Sequence, residues 1–91
     1  MSKKGEKWKK AAEAVLDHVE NYVVPQYGDD GQDPATDYDF EDCCKQAERY
    51  LRRRKSNSRP GQERRDILKT IHWLSIALEK QEMEATLYAA R

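Results

Sequence analysis

Apolar residues recur at steps of three and four in three separate stretches of this chain, a spacing that selects amphipathic helices over strands. In the first stretch Trp8, Ala12, Val15, Leu16, Val19, Tyr22 and Val23 share one face, with Glu13, Asp17 and Glu20 opposite. The pattern predicts a helix from about Lys4 to Val24. Pro25 should end it, because proline lacks a backbone donor and restricts the residue before it. Packing this stripe would take Trp8 and Leu16 out of water, at roughly 1.5–3 kcal/mol per fully buried aliphatic side chain.

A second helix is expected from Phe40, with Asp39 as N-cap and Asp42 three residues on. Phe40, Cys43, Cys44, Ala47, Tyr50 and Leu51 form its inner face, and Arg52, Arg53, Arg54 and Lys55 suit the negative end of its dipole. Arg54 continues the inner line of Ala47 and Leu51. Either the helix opens before it, or its stem packs while the guanidinium reaches solvent or an acid. Asn57, Ser58, Pro60 and Gly61 then supply a break.

The third helix should start between Pro60 and Glu63 and run to about Leu87, with Ile67, Leu68, Ile71, Leu74, Ser75 and Leu78 as its core stripe. Trp73, Ile76 and Ala77 fall outside that stripe, as a surplus apolar patch for a second copy of the chain, extended by Leu87 and Tyr88. The alternative is that the first helix and the preceding loop cover the patch, with Tyr27, Tyr38 or Pro34 as lids. The resulting expectation is an all-α fold, a three-helix bundle with a long acidic loop between helices 1 and 2 and an antiparallel helix 2–helix 3 pair. One domain would span residues 1–91, with flexible ends at 1–3 and 88–91.

Charge is segregated although the net is zero. Residues 28–42 hold seven acids and no base, whereas residues 43–65 hold nine bases and two acids. No run of about 18 apolar residues suggests a membrane span, and the Lys-rich start lacks the apolar stretch of a signal peptide. A cytoplasmic location is therefore expected, with Cys43 and Cys44 as small reduced hydrophobes, since adjacent helical cysteines diverge by about 100°.

Arg49-Tyr50-Leu51-x-Arg53, followed after a turn by Asp66-x-x-Lys69 and Trp73-Leu74, resembles a family of small helical proteins encoded by phages and prophages. Members of that family also occur fused to a phage nucleotide kinase. The resemblance covers residues 49–78 and implies a helix pair of phage type without any catalytic residue. Arg49 stands where the family has lysine and Trp73 where it has tyrosine, and the glycine-lysine turn is absent behind Arg53.

Four chemistries follow from the residues themselves. Lys45, Arg49, Arg52, Arg53, Arg59, Arg64 and Arg65 form a basic corner suited to nucleic acid or nucleotide phosphates. Asp17 and Glu20, with Glu63 and Asp66, offer the paired carboxylates of a magnesium-dependent nucleotide pyrophosphohydrolase, but Asp17 and Glu20 point away from the apolar stripe. His18 and His72 lack ligand spacing, and Asp29, Gly31 and Asp33 do not complete a calcium loop, so no metal or cofactor is expected. Asp66 is within reach of a nearby arginine across the turn, Arg53 being one choice, as a structural clamp. The leading expectation is a non-enzymatic module that self-associates, as a dimer, or binds another protein.

Overall fold

The structure, a computed structural model, is all-helical among the residues it describes: 1–29, 37–56 and 59–89, the side chains of 88 and 89 excepted. The expected loop residues Asp30, Gly31, Asp33 and Pro34, the turn residues Asn57 and Ser58, and the side chain of Tyr88 lie outside that set. The chain divides into two compact units, Met1–Asp33 and Pro34–Arg91.

In the first unit, α1 spans Lys3–His18 and is capped by Ser2, whose Oγ accepts from the Gly5 N–H at 3.0 Å. Pro25 does not stop it. The helix widens into a π-turn at Val19–Val23, where the Val24 N–H donates to the Val19 carbonyl five residues back, and continues as α2, Val24–Tyr27. A π-turn gives the proline ring room and needs no donor at Pro25, so the residue expected to break the helix sits in the first turn of its continuation. The stop comes instead at Gly28, at φ 84°, whose N–H donates to the Val24 carbonyl at 2.8 Å.

The expected burial of this helix's stripe is not realised. Trp8 is 63% and Leu16 59% exposed, while Val15, Val19, Tyr22 and Val23 are half-buried. A lone helix has no second apolar surface in its own unit on which to lay such a stripe. The buried side chain of α1 is His18, whose ring stacks on Tyr22 at 5.2 Å.

The second unit is a helical hairpin. Its α3, Phe40–Arg53, opens with the expected capping box: Asp39 Oδ1 accepts from the Asp42 N–H at 2.8 Å, and Asp42 Oδ2 from the Asp39 N–H at 3.1 Å. Asp39→Ala should therefore lower the unfolding free energy by about 1 kcal/mol in urea titration; an unchanged midpoint would show the box to be ornamental. Arg54, its C-cap, keeps helical φ/ψ with its N–H still donating to the Tyr50 carbonyl at 3.3 Å and its side chain half-buried, and the Ser56 N–H closes the turn on the Arg53 carbonyl at 3.0 Å.

The Gln62 N–H then bonds the Arg59 carbonyl at 3.1 Å, and α4 runs over Gln62–Ala89. Gly61, at φ 78°, makes the entry to α4, with nothing within 4 Å of where a Cβ would stand. The cost of Gly61→Ala should thus be conformational alone, about 1–2 kcal/mol by thermal melting.

Register follows from contacts between the helices. Lys69 lies over Tyr50, and Lys80 acts electrostatically on Cys43, so partners rise along α4 as they fall along α3, and the pair is antiparallel. Cys43 and Ala47 are buried from α3, and Gln62, Asp66, Leu68, Thr70 and Ala77 from α4. All but Gln62 and Leu68 are short side chains, which let two helices approach closely.

That register corrects the face assigned to the third helix. Leu68 is buried as expected, but Leu74 is 49%, Leu78 58% and Ile67 37% exposed, and Ser75 is exposed as well. The residues set aside as surplus are the better covered: Ala77 is buried, and Trp73 and Ile76 are half-buried. Tyr38 stacks on Trp73 at 5.6 Å, serving as one of the lids considered above. Leu51, expected to anchor α3 inward, is 43% exposed.

Candidate functional site

The hairpin presents two different flanks. Side chains advance about 100° per residue around a helix. With Ala47 facing the line of Asp66, Thr70 and Ala77, Tyr50 and Lys69 share one flank, while Leu51 and the Ile67–Leu74 side of α4 share the other.

The second flank is apolar. Ile67, Ile71, Leu74 and Leu78 follow at steps of four, three and four, and Leu51 extends them at the turn end. All are exposed except Ile71, which is half-buried. Such a stripe leaves a contiguous row of large aliphatic side chains facing water, where single scattered ones are the ordinary case. Of the interface residues expected from sequence, Ala77 lies inside the hairpin and Trp73 beneath Tyr38, so neither leads an outward face; Leu87 is 65% exposed.

The first flank is cationic. The Arg49 guanidinium carbon lies 5.4 Å and that of Arg53 6.0 Å from the centre of the Tyr50 ring, and Lys69 Nζ lies 4.9 Å from it. Each cation gains from the ring's electron-rich face. Lys45 and Arg52 are exposed on α3, and Arg59, Arg64 and Arg65 at the turn and the start of α4. Arg64, three residues before Ile67, borders the apolar stripe instead of the Tyr50 cluster. Lys69 was missed by sequence reasoning, since only the helix register brings it to Tyr50.

Asp66 does not clamp Arg53. It is fully buried, its Oδ1 accepts from Gln62 Nε2 at 2.9 Å, and Oδ2 has no hydrogen-bond partner. Arg53 reaches Tyr50 instead. Glu63 is exposed while Asp66 is buried, so these two carboxylates do not share a site; Asp17 is exposed and accepts from Asn21 Nδ2 at 2.6 Å, and Glu20 is exposed. Among the described residues no group of three His, Cys, Asp or Glu side chains is placed to hold a metal ion.

Both cysteines are free thiols. Burial pushes the Cys43 thiol up against the opposing pull of Lys80, and burial with Glu41 and Glu48 pushes Cys44 up. Both therefore stay protonated at neutral pH and are poor nucleophiles. A thiol reagent should label the half-buried Cys44 well before the buried Cys43, which should react only as the hairpin opens; equal rates in native buffer would contradict the packing.

No helix among the described residues is long and apolar enough to cross a membrane. No protein-family model matches this chain, nor does any curated protein or solved structure.

Proposed function

We propose that this protein is a non-enzymatic module of the phage or prophage type, located in the cytoplasm, that works by associating with a second protein surface, its own copy foremost. The observation that carries this reading is the exposed stripe of Ile67, Leu74 and Leu78, with Leu51 beside it, on a hairpin whose interior is already filled by other residues. Association would bury large aliphatic groups whose exposure otherwise costs the chain solubility. A closed three-helix bundle, with the acidic segment joining helices 1 and 2, is the competing outcome, in which the amphipathic stripe of α1 would take the same exposed face within one chain.

Sedimentation velocity over a concentration series tests the reading. Wild-type protein should move from monomer to dimer, and Leu74→Glu should remain monomeric with unchanged helicity. A wild type that stays monomeric at several hundred micromolar, or a dimer indifferent to Leu74→Glu, overturns it.

A second reading rests on the Tyr50 cluster: Arg49, Arg53 and Lys69 around one ring favour the phosphates of a nucleic acid or nucleotide. It is compatible with the first, because the two flanks lie on opposite sides of the hairpin.

A further inference from the structure

Resting on the association reading, we infer that the occupant of the apolar stripe is the same stripe of a second copy, laid antiparallel across a two-fold axis between Ile71 and Leu74. The steps of four, three and four read the same in both directions. An antiparallel copy consequently sets Ile67 against Leu78 and Ile71 against Leu74, matching all four α4 residues of the stripe, and an isologous contact of this kind closes on itself as a dimer.

Charge on the rim agrees. Residues 59–65 carry three arginines and one glutamate, whereas residues 79–84 carry three glutamates and one lysine. Antiparallel pairing brings the basic start of each α4 beside the acidic end of the other; parallel pairing would bring like against like. One contact is specific. Arg64, three residues before Ile67, and Glu82, four residues after Leu78, border the same edge of the stripe, and edges of the same kind meet in an antiparallel pair. Both side chains are exposed. Each dimer thus holds two Arg64–Glu82 pairs, one at either end.

The arrangement predicts an unusual pattern of rescue. In Arg64→Glu each homodimer sets two glutamates together at both ends, and in Glu82→Arg two arginines, so each variant alone should dimerise about tenfold more weakly than wild type at low salt. An equimolar mixture of the two variants has complementary charges at both ends, and so does the double variant Arg64→Glu/Glu82→Arg. Both should recover dimerisation to within about threefold of wild type.

Sedimentation equilibrium of the wild type, the two single variants, the double variant, Leu74→Glu and the mixture, at about 20 mM and about 300 mM salt, reads this directly. A wild-type dimer abolished by Leu74→Glu but not rescued by mixing overturns the antiparallel self-pairing and leaves the association reading standing. A wild type that is monomeric throughout, as when the chain's own first helix occupies the stripe, overturns both. Rescue in the mixture at low salt that fades at high salt supports the inference.

Discussion

Ala77→Glu is expected to unfold the α3–α4 hairpin. Position 77 is 3% exposed, in the interface that Cys43 and Ala47 share with Asp66 and Thr70. That interface already contains one carboxylate with an unpartnered oxygen, Asp66. A buried, unpaired charge there costs about 3–5 kcal/mol, which is comparable to the whole stability available to so small a domain. Circular dichroism should show most of the helical signal lost, or a urea midpoint close to zero. Leu74→Glu, three residues away on the exposed stripe, is the control: it should keep wild-type helicity. If Ala77→Glu melts like wild type, the helices do not pack in the register described.

The second large effect concerns phosphate. Arg49→Glu/Arg53→Glu removes two of the three cations around Tyr50 and puts two anions in their place. Each lost phosphate contact removes the release of nearly one counterion, so affinity for a DNA or RNA oligonucleotide should fall on the order of fiftyfold near 0.1 M salt, and the slope of log K against log salt should flatten by about two. Fluorescence anisotropy titration measures both. Arg64→Glu, on the other flank, should change binding less. Absence of wild-type binding at low salt removes the phosphate reading altogether, and the association reading is untouched by that result.

Much of the local structure was legible in the sequence because its causes are local. Asp39 and Asp42 form their capping box from three residues' spacing alone. The basic end of α3 and the start of α4 behind Gly61 likewise follow from nearest neighbours. Pro25 shows the limit of such rules: its missing donor is real, but a π-turn two residues earlier absorbs it, and a propensity argument sees the defect without the accommodation.

Tertiary structure decided which face of α4 looks inward. Hydrophobic periodicity favours the side with the largest aliphatic groups, and so selected Ile67, Leu74 and Leu78. The hairpin instead closes on the small residues Cys43, Ala47, Thr70 and Ala77, because close approach of two backbones gains contacts along their whole length, and large side chains would hold the axes apart. That choice moved the candidate interface from Trp73, Ile76 and Ala77 to the opposite flank. It also brought Lys69 of α4 to Tyr50 of α3, completing a cationic cluster of which the sequence revealed the two arginines. Sequence alone determined three helical stretches, the capped start of the second and their charges, since these depend on residues within a turn of each other. Which stripe is buried in the hairpin and which stays exposed depends on the register between helices, and only packing sets that.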